Sequence, residues 1–199
     1  MPNRPTIPPQ RLPVTTMTEE PKSTQDRLVQ AYEEMLKRTH AAMEHAEQET
    51  LPALRELLDK ARDNMVELGE LTREEAAKVA DYVERDIKDA AQYLTDTGAD
   101  LRQWWRFDVS QVQERMLEMF SSVADQTSVQ LQNWARQARQ AVGYHTGEIT
   151  GPGTLVCTAC GSELQMRQAG HIPPCPKCHG IQFKRPDANQ PEGSQAEGP

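Results

Sequence analysis

All four cysteines of this 199-residue chain lie in two C-x-x-C motifs. The first motif, CTAC, contains Cys157 and Cys160, and the second, CPKC, contains Cys175 and Cys178. One C-x-x-C turn can present two thiolates to a single metal ion, and two such turns supply the four ligands of a tetrahedral site. The spacing therefore predicts that these four cysteines bind one metal ion.

The residues around the two motifs fit the two knuckles of a zinc ribbon. Gly161 follows the first motif, where a positive φ would let backbone N–H groups point at sulfur. Pro176 stiffens the second turn, and Gly180 gives the backbone more conformational freedom just after it. The flanking segments GTLVC and IQFKR are typical of short strands. Because such a module has little core of its own, we expect loss of one cysteine to unfold the ribbon and to leave the helices intact.

The predicted metal is Zn²⁺, one ion per chain, because four thiolates at about 2.3 Å suit its tetrahedral geometry. Iron bound by the same four thiolates is the alternative, since ligand type suits either metal. Two disulfides or a redox-active C-x-x-C are less favoured, because the sequence shows no secretion signal and no βαβ pattern around the motifs. A closed site of four cysteines has no open position for water or substrate, which predicts a structural role.

We predict that the protein is not an enzyme, and we assign no catalytic or cofactor-binding residue. The sequence has no glycine-rich phosphate loop, nucleophile elbow or His-x-Glu metal motif. His171 and His179 lie close to the cysteines in sequence, but four thiolates already complete a tetrahedron, so we interpret both as loop residues. His145 is predicted to lie at the turn that joins the helices to the ribbon, and we give it no catalytic role. The carboxylates fall in helical charge runs and are interpreted as solvated.

The elements that must position this site are helical and acidic. With 37% hydrophobic and 26% charged residues, the composition favours long amphipathic helices over one large globule. The net charge of −8 argues against a general affinity for nucleic acid or anionic membranes. The sequence has no apolar run of the roughly 18 residues that cross a bilayer and no secretory h-region, so we expect a cytoplasmic protein. Whether translation starts at Met1 or Met17 stays open.

The chain divides into four predicted segments. Residues 1–25 and 186–199 are predicted to be disordered tails, because they have few apolar residues to bury. Residues 26–142 are predicted to form a helical hairpin or bundle, and residues 143–185 the ribbon. The predicted fold class is therefore mainly α: a long antiparallel helical hairpin or coiled-coil bundle, followed by a small C-terminal β zinc ribbon.

Apolar and small residues recur every three or four positions through residues 26–142, as on the buried face of a helix. Gly69 and the capping box from Thr72 to Glu75 predict a tight turn between two helices. Pro52 either kinks a long helix or starts a second one, and the unbroken phase of the stripe favours the kink. A helix is also expected to fray or break at Gly98. The stripe comprises Leu28, Tyr32, Met35, Thr39, Ala42, Ala46, Ala53, Leu54, Leu57, Ala61, Met65, Leu68, Ala76, Val79, Val83, Ile87, Ala90, Leu94, Leu101, Trp105, Val112, Met116, Met119, Val123, Leu131, Trp134, Ala138 and Val142.

Two stretches, GELTREEAAKVADYVERDI and YHTGEITGPGTLVCTACG with the later CPKCHG, are similar to the YbeL-like family of bacterial proteins. The similarity covers about residues 25–185, and it is most specific at the turn of residues 69–75 and from Tyr144 to Cys160. The resemblance implies a cytoplasmic helical protein whose C-terminal zinc ribbon uses the four cysteines as ligands. The family has no established activity, so the resemblance implies an architecture and not a task.

The predicted function is that of an interaction or adaptor protein, in which a helical stalk with a ribbon binds a protein partner or a second copy of the chain. A nucleic-acid-associated factor is the first alternative, with Arg167, Lys177, Lys184 and Arg185 as phosphate contacts. These few cations beside an acidic helical segment predict only weak binding to nucleic acid. The second alternative is a thiol- or metal-responsive switch that uses the same cysteines.

Overall fold

The computed structural model of the protein describes residues 23–45, 54–97, 114–130 and 143–186. These ranges contain four helices: α1 (Thr24–Glu44), α2 (Leu54–Glu67), α3 (Arg73–Thr97) and α4 (Glu114–Gln130). They also contain six strands: β1 (Tyr144–His145), β2 (Ile149–Thr150), β3 (Gly153–Cys157), β4 (Glu163–Met166), β5 (Gly170–His171) and β6 (Gln182–Lys184). Helices followed by a small β region with four cysteines confirm the predicted fold class, while the coiled-coil form and the segment boundaries stay predictions.

Helix α1 begins at a polar cap and buries one face. The hydroxyl of Ser23 accepts a hydrogen bond from the backbone N–H of Asp26 at 3.2 Å, which satisfies one of the unpaired donors of the first turn. Near the end of the helix Met43 is buried, whereas Ala42, which the sequence stripe predicts to be buried, is exposed. The buried residues of α1 are Ala31, Tyr32, Met35, Leu36, Thr39 and Met43.

The turn between α2 and α3 is closed by two capping motifs, as the sequence predicts. Gly69 has a φ of 70°, and the N–H of Glu70 donates to the carbonyl of Met65 at 3.0 Å, as in a Schellman motif. The N–H of Thr72 then donates to the carboxylate of Glu75 at 2.9 Å, and the N–H of Glu75 donates to the Thr72 hydroxyl at 3.2 Å. Both helix ends are therefore satisfied within a few residues, and α2 and α3 run in opposite directions.

Helices α1 and α2 are separate and pack side by side, so the prediction of one long kinked helix is wrong. Helix α1 ends at Glu44 and α2 begins at Leu54, whereas Pro52 lies outside the described residues. Arg38 of α1 donates to the side chain of Asn64 in α2 at 2.8 Å, which requires the chain to fold back. The stripe keeps its phase because both helices bury a face in the same core, and phase therefore cannot distinguish a kink from a reversal.

The helices share one apolar core, in which α1 and α3 each contact both α2 and α4. Leu68 departs from the predicted stripe and is 61% exposed, because α2 has ended before it and the chain turns at the next residue. Buried in the other helices are Leu54, Leu57, Leu58, Ala61, Met65, Ala76, Val79, Ala80, Val83, Ile87, Ala90, Ala91, Met116, Phe120, Val123 and Ala124. The predicted stripe positions Ala46, Ala53, Leu101, Trp105, Val112, Leu131, Trp134, Ala138 and Val142 lie outside the described residues, as does Gly98.

The strands form two small antiparallel sheets, one with the order β1-β6-β3-β4 and one that pairs β2 with β5. The predicted GTLVC strand is β3, and the predicted IQFKR strand contains β6. Phe183 of β6 lies opposite Tyr144 on one side and opposite Cys157 on the other. Among the described helices, none is both long and apolar enough to cross a bilayer.

Candidate metal centre

The four cysteines meet at one point between the two knuckles. The Sγ atoms of Cys157, Cys160, Cys175 and Cys178 all lie within 4.8 Å of one another, and the cross-knuckle pairs 157–178 and 160–175 are each 3.6 Å apart. Tetrahedral coordination with Zn–S bonds of about 2.3 Å would place sulfur atoms about 3.8 Å apart, whereas a disulfide bond is about 2.0 Å long. The cysteines are therefore unbonded thiols at the spacing that a four-coordinate metal requires.

Strand β3 carries Cys157 into a tight turn that brings Cys160 back beside it. The N–H of Gly161 donates to the carbonyl of Cys157, and the N–H of Cys157 donates to the carbonyl of Ser162, both at 2.9 Å. Gly161 has a φ of 71°, a left-handed conformation that a residue without a Cβ adopts without a clash. The positive φ predicted at this glycine is thus present.

The second knuckle repeats these hydrogen bonds. The N–H of His179 donates to the carbonyl of Cys175, and the N–H of Cys175 donates to the carbonyl of Gly180, both at 2.9 Å. The left-handed residue is His179, with a φ of 59°. Gly180 is needed for a different reason: a Cβ there would lie 3.1 Å from the sulfur of Cys157 and 3.2 Å from that of Cys178.

The thiols differ in acidity because their surroundings differ. The backbone N–H and the hydroxyl of Ser162 lower the pKa of Cys160 to about 6. The N–H of Gly180 lowers the pKa of Cys178, but the neighbouring thiols, led by Cys160, outweigh it and raise that pKa to about 12. Four thiols this close cannot all ionise without a counter-ion, because each thiolate raises the pKa of the next. A divalent cation among the sulfurs would supply that counter-charge.

The donor set fits a closed, four-coordinate metal site. Among the described residues, these cysteines are the one group of His, Cys, Asp and Glu side chains whose ligand atoms converge. Cys157 and Cys175 are buried, Cys160 is half-buried and Cys178 is exposed. Four sulfur ligands suit Zn²⁺ or iron, and such a metal would be held by the chain without a further ligand.

The three nearby histidines contribute no ligand atom to this cluster. The Nδ1 atom of His145 lies 3.2 Å from the carboxylate of Glu148. The Nδ1 atom of His171 lies 2.7 Å from the carbonyl oxygen of Gly147, and its Nε2 atom lies 3.3 Å from the carbonyl oxygen of Gln25 in α1. His171 therefore links the ribbon to the first turn of the helical part.

A buried carboxylate fastens the ribbon to the helices at the end of β3 away from the knuckles. Asp86 of α3 has no exposed surface. It accepts hydrogen bonds from the hydroxyl of Tyr32 at 2.7 Å, the hydroxyl of Thr150 at 3.0 Å and the N–H of Gly151 at 2.7 Å. A fourth hydrogen bond comes from Nε of Arg85 at 3.2 Å. Two of its four donors thus come from the ribbon.

Arg85 extends across the same interface. Its guanidinium donates to the carboxylate of Glu148 at 2.6 Å and to the carbonyl of Ile149 at 2.8 Å, in addition to Asp86. It also lies 3.9 Å from the centre of the Tyr144 ring. Paired charges, hydrogen bonds and stacking together offset the free energy of removing this cation from water.

Tyr144 near the start of the ribbon and Arg185 near its end complete the interface. The hydroxyl of Tyr144 donates to the carboxylate of Asp89, and Nε of Arg185 donates to that hydroxyl at 3.2 Å. Arg185 also donates to the hydroxyl of Thr150 at 2.9 Å and to the carbonyl of Thr154 at 3.3 Å. Its side chain is 8% exposed, so the interpretation of Arg185 as a phosphate contact is wrong.

The interpretation of the helical carboxylates as solvated is also wrong for Asp86. The signal was present in the periodicity, because Asp86 lies three residues after Val83 and four before Ala90, on the buried stripe itself. A charged residue at a core position requires buried partners. One of those partners, Thr150, lies 64 residues later, which helical periodicity cannot reveal.

Comparison with known proteins agrees with this architecture. A family model described as a zinc-ribbon containing domain matches residues 17–187. The Escherichia coli K12 protein named Uncharacterized protein YbeL is 27% identical over 129 residues, which cover 65% of this chain and 79% of that protein. A protein of the same name from Escherichia coli O157:H7 gives the same figures. The comparison with solved structures gives no significant match. Because the family model spans most of the chain and includes both knuckles, the chain belongs to the family of zinc-ribbon containing domain proteins, which confirms its resemblance to the YbeL-like proteins.

Proposed function

We propose that the protein is a non-enzymatic adaptor whose ribbon binds one structural Zn²⁺ and which, with its helices, presents a surface to a protein partner. The closed site carries this proposal: four thiols at metal-ligand spacing leave no coordination position for water or substrate. A metal held in this way contributes free energy of folding and has no position from which to act as a Lewis acid.

The buried charges support a role without catalysis. Asp86 has no exposed surface, and protein donors already make four hydrogen bonds to it. A substrate therefore cannot come within hydrogen-bond reach of this carboxylate, as it must for a general base. Arg185 is likewise enclosed by the fold and cannot contact phosphate. This weakens the nucleic-acid alternative, which relied on four cations.

The ligand chemistry also favours a reducing location. Thiols that serve as metal ligands must stay reduced, and the cytoplasm keeps them so. We therefore propose a cytoplasmic protein.

Elemental analysis tests the metal. Protein purified without added metal should contain close to one zinc per chain, and the Cys175→Ser variant should contain less than half as much. Lys177→Ala is the matched control, because Lys177 is an exposed residue of the same knuckle and should leave the zinc content unchanged. Stoichiometric iron would replace zinc in the proposal, and the absence of any stoichiometric metal would contradict it.

Affinity capture tests the adaptor role. The wild-type chain should retain a protein partner from native extract after nuclease treatment, and Cys175→Ser should lose that partner if the ribbon binds it. Loss of every partner on nuclease treatment would favour the nucleic-acid alternative instead. A titration of the full chain with duplex DNA and single-stranded RNA at about 0.15 M salt separates the two further. Sub-micromolar affinity that falls steeply with salt would overturn the adaptor proposal.

A further inference from the structure

We infer that metal binding by the ribbon is coupled to the stability of the helical part through the interface centred on Asp86. The helices would then respond to whether the four-cysteine site is loaded, although they supply none of its ligands. This inference rests on the proposed metal site, and it adds a property that neither a structural metal nor an adaptor role requires.

The interface joins three of the helices to the ribbon. Asp86 of α3 and Tyr32 of α1 are hydrogen-bonded to each other, and Gly151 of the ribbon donates to the same carboxylate. A Cβ on Gly151 would lie 2.7 Å from the hydroxyl oxygen of Tyr32 and 3.5 Å from the ring of Phe120 in α4. The ribbon backbone therefore sits directly against side chains from α1 and α4 while it pairs with α3.

The apolar core is also shared. Ile149 and Ala169 of the ribbon are 1% and 3% exposed, and both belong to the same cluster of buried residues as the helices. Separation of the ribbon would expose these residues and the helix residues that cover them. Since burial of apolar area is the main stabilising contribution in a small domain, the helices lose stability when the ribbon leaves.

A continuous structure connects this interface to the metal site. Strand β3 starts two residues after Gly151 and ends at Cys157, a length of about 13 Å at the usual rise of a strand. Beside it, Phe183 lies opposite both Cys157 and Tyr144, and the Tyr144 ring stacks against Arg85 of α3. Strand β3 thus connects the helix interface directly to the ligand Cys157. Strand β6 provides a second connection, because Phe183 pairs with both Cys157 and Tyr144.

The ribbon needs its metal to keep this structure. Its own buried core consists of Tyr144, Leu155, Cys157, Ile172, Cys175 and Phe183, so two of the six residues are ligands. Without a metal, the four thiols have no common bonding partner to hold the two knuckles together. A module with so small a core loses its order. The sequence-based expectation that the helices stay intact does not account for the shared interface.

Thermal unfolding of the full chain, followed by the helical circular dichroism signal, tests the coupling. Zinc content is measured first, and the chain is then compared loaded, stripped with a chelator and reloaded. We expect the helical transition to fall by about 5–10 °C on stripping and to return on reloading. Backbone amides of α3 near Asp86 should exchange with solvent at least about tenfold faster in the stripped chain.

The Asp86→Asn variant identifies the route of the coupling. It should keep its zinc, but its helical transition should shift by less than about a third of the wild-type value on stripping. Asp81→Asn is the matched control, because Asp81 lies on the same helix, is exposed and pairs with Arg55 outside the interface. If Asp86→Asn does not fold, Glu148→Gln weakens the same interface at its half-buried edge and should reduce the shift in part.

Each outcome decides a different claim. One zinc per chain with a reversible shift that Asp86→Asn reduces supports the coupling. One zinc per chain with the same helical transition and the same amide exchange in loaded and stripped protein overturns the coupling and leaves the proposed function standing. An equal shift in Asp86→Asn and wild type overturns the assigned route. Absence of stoichiometric metal overturns the proposed zinc site, and with it this inference.

Discussion

Replacement of Gly151 by alanine should destabilise the protein through one atom of Tyr32. The new Cβ would lie 2.7 Å from the Tyr32 hydroxyl oxygen, closer than a carbon and an oxygen approach without a bond, while its other two nearest contacts are ordinary at 3.5 Å. Relief of the clash requires the hydroxyl to move, and that hydroxyl donates to the buried carboxylate of Asp86. Gly151 has no positive φ, so the backbone itself accepts alanine.

The size of the destabilisation follows from the steric clash and from the loss of the hydrogen bond between Tyr32 and Asp86. Overpacking of a filled core costs about 1–3 kcal/mol, and loss of a hydrogen bond to a charged group costs about 1.5–3 kcal/mol. The two overlap, because moving the hydroxyl relieves the clash, so we expect Gly151→Ala to lower the free energy of unfolding by about 2–4 kcal/mol. Tyr32→Phe loses the hydrogen bond without the clash and should cost about 1.5–3 kcal/mol. In the Tyr32→Phe background, Gly151→Ala should add less than about 1 kcal/mol, because the clashing atom is gone.

Urea unfolding of the four proteins in this cycle, at fixed zinc concentration, measures the coupling. Tyr82→Phe is the control for loss of a tyrosine hydroxyl, since Tyr82 is half-buried beside Arg85, and it should change stability by less than about 0.5 kcal/mol. Additive effects of Gly151→Ala and Tyr32→Phe would refute the contact, because independent sites add. Such a result would mean that the ribbon backbone does not rest on α1.

Three further predictions concern single positions. Thr72→Ala should cost about 1 kcal/mol in urea unfolding because it removes the cap of α3, whereas Thr95→Ala, an exposed position late in the same helix, should have no such cost. Gly161→Ala should cost about 1–2 kcal/mol because its φ is left-handed, but His179→Gly should be neutral within about 1 kcal/mol, and equal losses at the two positions would contradict the account of the knuckles. Burial raises the pKa of Asp89 to about 6, so its contribution to stability is greatest below about pH 4 and is lost as the pH rises through about 6. Asp89→Asn should therefore flatten the dependence of the unfolding free energy on pH in that range, and an unchanged profile would exclude Asp89 as its source.

The local features of the fold could be predicted because their causes are local. The turn at Gly69 and the capping box of Thr72 and Glu75 are closed by residues at most six apart, and the structure confirms both. The convergence of the cysteines was likewise readable, since each C-x-x-C turn is set by a few residues. The left-handed conformation of His179 in the second knuckle was not predicted, because its residue type does not mark that conformation as a glycine would.

The features that were missed depend on contacts between distant segments. The reversal between α1 and α2 leaves the apolar phase unchanged, so the pattern could not exclude a kink. Arg185 looks like an ordinary surface charge within its own segment, whereas Asp86 falls on an apolar stripe. The burial of both residues follows from a contact between α3 and the ribbon. A charged residue on an apolar stripe is the one available warning, and it indicates that a partner exists without identifying it.

The order of synthesis gives the docked ribbon a consequence for biogenesis. Chains leave the ribosome from the N-terminus, and their segments begin to fold as they emerge. Asp86 and the helix residues around it are therefore made before Thr150 and Gly151, the ribbon groups that later cover them. Until those residues emerge, Asp86 has only the donors from Tyr32 and Arg85, and the apolar face around it is uncovered. A chain that stalls or is cleaved before the ribbon would display that face, which marks it for chaperones or proteases as an unfinished product.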